Sequence, residues 1–317
     1  MTTIVGPFCV YKIRLGRRTF VLFGENHWMA ANYEAGPGQI AFEDFIEDVF
    51  RKHPRKRYDL FIESSLKPNI DMEYRYAPNG GIPRLLRRFL SRPLTNVKVH
   101  NMDARKYKTV VKQDQTLDDR LLDMMEMYAD QWHSYDDPSA KKEFFQNYKE
   151  HVWMQPSLFR VLMLRTLLTH PRIRKQFQDV PPKIRAGIYT ECFRIMDESV
   201  ATLTTAIRKA GLSDHQHLKK MPSTLTDDLY MDIVESASDI FCTVMDLYSL
   251  GRFFKKTTGP TIIVYAGAVH IWNYVRVLTA LGGKMQYENV QPDDAPPIIH
   301  LEEHVLGKTH WVHPKLF

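Results

Sequence analysis

The sequence predicts an α/β fold, a central and largely parallel sheet flanked by helices and interrupted by a large all-helical insertion. Three observations predict it. Short apolar, β-branched runs alternate with helical periods over residues 1–112. The same alternation returns over 257–317. Between them, from 113 to 256, strand signals stop and only helical periods remain. This divides the chain into a sheet domain of 1–112 with 257–317 and a helical insertion of 113–256.

Taken in order, Phe8 to Leu15 and Thr19 to Phe23 flank a turn at Gly16-Arg17-Arg18, the pattern of a β-hairpin. Past the loop at Gly36-Pro37-Gly38, the run Ile40 to Phe50 sets Phe42, Phe45, Ile46, Val49 and Phe50 on one helical face. Tyr58 to Ile62 reads as the next strand and ends in Glu63 and Ser64. Ile82 to Phe89 is a basic amphipathic helix, and Val97 to His100 a strand followed by Asn101-Met102-Asp103-Ala104-Arg105. Helical periods then cover Leu117 to Trp132, Lys141 to Trp153, Ser157 to Thr169, Lys183 to Ala210 and Thr224 to Lys255, punctuated by prolines such as Pro138, Pro156 and Pro222. The chain closes with strand signals near Lys284 to Tyr287 and Ile298 to Leu301, then a tail carrying His304, His310 and His313. That irregular spacing, without cysteine, is not a zinc signature.

The chemistry concentrates in the stretch Thr261 to Gly283. A buried-strand run through Ala266 meets Gly267, and a helical period starts at Ala268, so His270 falls at the carboxyl end of a strand beside a helix N-terminus. Ligands of open α/β sheets bind there, where free backbone N–H groups favour an anion and a glycine lets the backbone turn closely. A lone histidine in such a turn more often packs or caps. Thr19 to His27, TFVLFGENH, repeats the pattern: apolar strand, Gly24, two residues, His27. Glu63 stands at another strand exit, and Asp103 and Arg105 alternate along a third. Asp246, Tyr248 and Arg252 lie on the helix that runs toward the second motif. Arg252 reads either as an anion clamp or as a basic residue complementing a helix C-terminus.

Composition bounds these readings. The chain has 317 residues, 44% hydrophobic and 25% charged, ordinary for a globular protein with a sizeable core. A formal charge of +6, with clusters at Arg51 to Arg57 and Arg84 to Arg92, makes a basic surface. Such faces are more often solvated than bound to nucleic acid. Cys9, Cys192 and Cys242 form neither a disulfide framework nor a CxxC pair, which points to a reducing compartment. No run is long and apolar enough for a membrane span and no signal peptide is evident, so a cytoplasmic location is expected, or a virion if the protein is viral.

With GENH at Gly24 to His27, Glu63, the Asp103-Ala104-Arg105 step and GAVH at Gly267 to His270, the chain resembles the TIKI/TraB superfamily. That group includes ChaN-like haem-binding lipoproteins and erythromycin esterases, and shares two GxxH motifs with an intervening acidic residue on an α/β fold. The phrase VYAGAVHIWNY after a helix bearing Asp246, Tyr248 and Arg252 looks nearest to proteins of large DNA viruses. The resemblance makes His27 and His270 site histidines and Glu63 their acidic partner, with Asp103, Arg105 and Arg252 as weaker candidates for substrate contact. Erythromycin esterases place one more residue between the Gly-Glu pair and the histidine, so Glu25 does not inherit their glutamate's role. The animal members are extracellular metal-dependent proteases, a substrate that does not carry over.

Two functions follow as expectations. The first is a hydrolase acting on an ester or amide of a small-molecule or peptide substrate. His27, Glu63 and His270 would hold one divalent metal ion while Arg105 or Arg252 stabilises developing charge. Without metal, His27 would serve as general base oriented by Glu63, with His270 polarising the carbonyl. The second is a non-catalytic assembly component, such as a virion protein, that keeps the fold and meets protein partners through its basic faces and histidine-rich tail.

Overall fold

The computed structural model describes residues 2–26, 34–65, 81–103, 168–169, 171–213, 225–292, 295–301 and 305. The chain divides into two compact units, Met1–Met102 with Lys256–Phe317, and Asp103–Lys255.

The first unit is α/β. Its strands are β1 (Thr2–Val5), β2 (Cys9–Leu15), β3 (Arg18–Glu25), β4 (Ile40–Ala41), β5 (Tyr58–Ser65), β6 (Val97–Asp103), β7 (Thr261–Gly267), β8 (Lys284–Val290) and β9 (Ile298–Leu301). Its helices are α1 (Phe42–Lys52), α2 (Gly81–Ser91) and, after β7, one spanning Ala268–Ala280, called α6 below. Six strands form one sheet in the order β6-β5-β7-β3-β2-β8. β7 runs parallel to both β5 and β3. β2 is antiparallel to β3 and to β8. The sheet is therefore mixed, where the sequence suggested a largely parallel one. The difference comes from the opening hairpin, whose tight turn at Gly16 (φ 59°) brings β3 back alongside β2, so that β2 runs against β3 on one side and against β8 on the other, while β8 keeps the direction of β3 and β7.

Alternation along the strands sorts the core. Val21, Phe23, Leu60, Ile62, Ile263 and Tyr265 turn to one face, where α1 and α2 cover them with Phe42, Phe45, Ile46, Leu85, Leu86 and Phe89. α6 packs against β2, β3 and β7 on the other. A second sheet, β4-β1-β9, adds Ile4, Ile299 and Leu301 to the α1 side. Burial of this many aliphatic and aromatic side chains, each contributing roughly 1.5–3 kcal/mol, accounts for the cohesion of the unit.

In the second unit the described residues form α3 (Pro171–Gln176), α4 (Pro182–Lys209) and α5 (Asp227–Phe253), with no strand among them. α4 opens with Pro182 at its first position, and α5 is capped by Thr226 accepting from the Leu229 N–H. The expected helices at 117–132, 141–153 and most of 157–169 lie outside the described residues.

Candidate functional site

The parallel register sets the glycines that open the two motifs on neighbouring strands, one residue out of step. Gly24 faces Ala266 and Glu25 faces Gly267 across β3 and β7, while Ile62 faces Tyr265 across β5 and β7. Glu63 and Glu25 thus leave the sheet on either side of the end of β7. Three strand ends meet at one carboxyl edge, the place where open α/β sheets build their crevices.

Glu63 and His270 meet there. Glu63 Oε2 accepts the Gly267 N–H at 2.6 Å, and Glu63 Oε1 lies 3.1 Å from His270 Nε2. Both residues are buried, Glu63 at 7% exposure and His270 at 3%. His270 occupies the third position of α6, and its ring stacks with that of Tyr274 one turn on, centroids 6.5 Å apart. A carboxylate only accepts, so the ring nitrogen facing Glu63 carries the proton and Nδ1 is the basic nitrogen of the neutral ring. The carboxylate also occupies the positive end of α6, a position that stabilises its charge. At the helix N-terminus that the sequence offered to an anionic ligand, Glu63 already takes the N–H of the N-cap Gly267. Gly267 itself has φ −55°, a conformation open to any residue, so its contribution is the N–H rather than an unusual turn.

Glu25, set aside by motif spacing, is a second buried carboxylate at this edge, 2% exposed. The Tyr265 hydroxyl donates to Glu25 Oε2 on the α1 side of the sheet. Burial first, then the charge and hydrogen bond of Glu25, raise the Tyr265 phenol well above its ordinary value and keep it a donor. Nearby on β5 and β6, Ser64 Oγ donates to Asn101 Oδ1 at 2.9 Å. The signal that would have found Glu25 is its position directly opposite Gly267, which only the strand register reveals.

His27 and Arg105 lie outside the described residues, as do His304, His310 and His313. Asp103 closes β6. Arg252 belongs to the second unit, in the last turn of α5, with its guanidinium 5.8 Å from the centre of the Tyr248 ring. Asp246 is buried on the same helix. Among the described residues no group of three or more His, Cys, Asp or Glu gathers in metal-binding geometry.

A matching arrangement sits at the opposite end of β5. Asp59 Oδ1 bonds His100 Nε2 at 2.5 Å, and Asp59 Oδ2 accepts the Gly259 N–H at 2.6 Å. Phe61 stacks on His100, centroids 4.2 Å apart. Burial alone would raise Asp59, but the His100 and Gly259 hydrogen bonds and the charges of His100 and Lys98 outweigh it and hold the carboxyl below its ordinary value.

The Arg84–Arg92 cluster is partly neutralised within the fold. Arg88 reaches Asp44 and Glu47 at 2.6 Å each, and Arg84 reaches Glu43 at 3.4 Å. Among the described residues no helix is long and apolar enough to cross a membrane.

Fold and site together define an α/β protein with a mixed sheet and a buried carboxylate–imidazole pair at its carboxyl edge. No family model, curated protein or solved structure matches the chain.

Proposed function

We propose that this edge is a hydrolytic site for an ester or amide of a small-molecule or peptide substrate, of the TIKI/TraB type. The observation that carries the reading is the contact of Glu63 with His270 at the end of β7, where Glu25 of the first motif pairs with Gly267 of the second. Glu63 orients the ring through Nε2 and stabilises the imidazolium once it forms. Nδ1 then takes a proton from water as the water oxygen attacks the carbonyl carbon, and returns it to the departing amine or alkoxide. In this assignment His270, not His27, is the base that Glu63 orients, and His27 is the residue that polarises the carbonyl. Arg105 and Arg252 are the candidates for stabilising the oxyanion.

One divalent metal ion is the alternative occupant of these donor types, a carboxylate oxygen and an imidazole nitrogen, and it would have to displace the Nε2 proton that Glu63 otherwise accepts. His27, Glu63 and His270 would hold it, and a bound ion supplies Lewis acidity that brings the pKa of water toward neutrality.

A second reading has its own observation. Asp59 and His100 form the same carboxylate, imidazole and glycine N–H arrangement at the amino edge, away from either motif, so such a trio also serves simply to tie strands together. On that reading the protein is an assembly component, for example of a virion in the cytoplasm, that meets its partners through basic faces.

The deciding experiment is turnover of a panel of esters and peptides by the full chain and by His270→Gln. The hydrolase reading expects a loss of about 10²- to 10⁴-fold with the fold retained. An inert parent chain would remove it.

A further inference from the structure

We propose that Tyr265 and Glu25 are positioning residues, a buried hydrogen bond that fixes the carboxyl end of β7 so that Gly267 and His270 meet Glu63. The inference rests on the reading of Glu63 and His270 as the working pair. β7 ends between two carboxylates. Glu63, from β5, holds it on the α6 side through Gly267 and His270. Glu25, from β3, holds it on the α1 side through Tyr265, two residues earlier. Because Glu25 is the register partner of Gly267, any slip or splay between β3 and β7 at this point moves the N–H that Glu63 accepts.

The contact is built in from three directions. Tyr265 is fully buried, and its ring stacks on Phe42 with centroids 4.5 Å apart. Gly81, the first residue of α2, lies so close that a Cβ there would collide with the Tyr265 hydroxyl and Glu25 Oε2. Gly6 approaches from β1's side, where a Cβ would stand 3.4 Å from the same hydroxyl. Gly81 has no left-handed backbone, so close approach, not conformation, is what requires glycine there. A buried phenol and carboxylate held this way have one low-energy arrangement, which makes the bond a fixed strut.

The test is NMR of the His270 ring nitrogens, read through the carbon-bound ring protons and assigned with His270→Gln. In the parent chain Glu63 holds one tautomer. Tyr265→Phe keeps the ring and its stacking and removes only the hydroxyl. It should shift the His270 nitrogens toward the mixed-tautomer position, and Gly81→Ala should shift them the same way. Phe50→Leu, which trims the same core at its contacts with Tyr58 and Phe89, should lower the melting temperature and leave His270 unmoved. If Gly81→Ala fails to fold, Tyr265→Phe decides alone. Unchanged His270 shifts in a folded Tyr265→Phe protein overturn the proposal, as does an equal shift in Phe50→Leu. Turnover is measured separately on the ester and peptide panel, so a chain that hydrolyses nothing rejects the hydrolase while the ring nitrogens still report on the strut.

Discussion

Asp59 and Glu63 stand on one face of β5, four residues and about 13 Å apart, and each accepts a glycine N–H while facing an imidazole. Their sequence contexts differ, and so do the expected consequences of changing them. Glu63→Ala leaves the Gly267 N–H and His270 Nε2 without this acceptor in a buried place, an expected loss of about 2–4 kcal/mol in denaturant unfolding. Glu63→Gln retains an oxygen for Gly267 but sets its NH2 against His270 Nε2, so the ring must change tautomer; it should cost less than Glu63→Ala, about 1–2 kcal/mol, while still removing turnover. A stability loss with no turnover to lose would assign Glu63 to the same structural role as Asp59. For Asp59 the folded carboxyl titrates below its unfolded value of about 3.9. Its contribution is therefore fully present above about pH 4 and is lost as pH falls through the lower folded value. Asp59→Asn should reduce stability at neutral pH and flatten the acid limb of the stability curve below about pH 4. An acid limb as steep as that of the parent would show that Asp59 does not carry it.

At the scale of elements, Gly24 explains why the first motif begins with glycine. A Cβ there would lie 2.5 Å from Cys9 Sγ, 3.1 Å from Ala268 Cα and 3.3 Å from Ile271 Cγ1, so α6 could not seat on β2 and β3. Gly24→Ala should cost about 1–3 kcal/mol by overpacking. Cys9→Ala in the same chain should recover part of that, because the sulfur is the nearest obstacle and the Ala268 backbone the immovable one. Equal melting temperatures for Gly24→Ala and the parent would contradict this. The same elements show what was legible in sequence. β7 and α6 coincide with their apolar run and helical period to within a residue or so at the shared boundary, since Gly267 separates two periods cleanly. The meeting of Glu63 with His270 was legible because both follow strands bound for one sheet edge. Of the β4-β1-β9 sheet only β9 was, at the strand signal of Ile298 to Leu301; β1 and β4 are four and two residues long, and the pairing of Thr2 with Leu301 joins the two ends of the chain, which no local pattern marks. Tyr265 with Glu25 escaped for the same reason, since register and the approach of Gly81 are tertiary facts. The arginines of α2 read as a basic face because their acidic partners, Glu43, Asp44 and Glu47, come from another helix.

For the whole molecule, the division into two units separates the proposed chemical roles. His27, Glu63 and His270 fall within Met1–Met102 and Lys256–Phe317, whereas Arg105 and Arg252 fall within Asp103–Lys255. If the first unit alone supplies the ligands of a divalent ion, elemental analysis of the full chain should find about one equivalent, lost in His270→Gln and in Glu63→Gln. Arg105→Ala and Arg252→Ala should then leave the metal content unchanged, yet whichever arginine stabilises the oxyanion should lose about 10²- to 10³-fold in turnover. Chelation should lower the melting temperature of the parent and of both arginine variants by the same amount, because an ion bound only by the folded state stabilises through its own affinity, about 4 kcal/mol at a thousandfold excess over Kd. Loss of metal in an arginine variant would place a ligand in the second unit. A parent chain that holds no metal, is indifferent to chelator and to added zinc, and turns over no ester or peptide leaves the assembly component as the reading that survives, with Glu63 and His270 tying β5 to α6 as Asp59 and His100 tie β5 to β6.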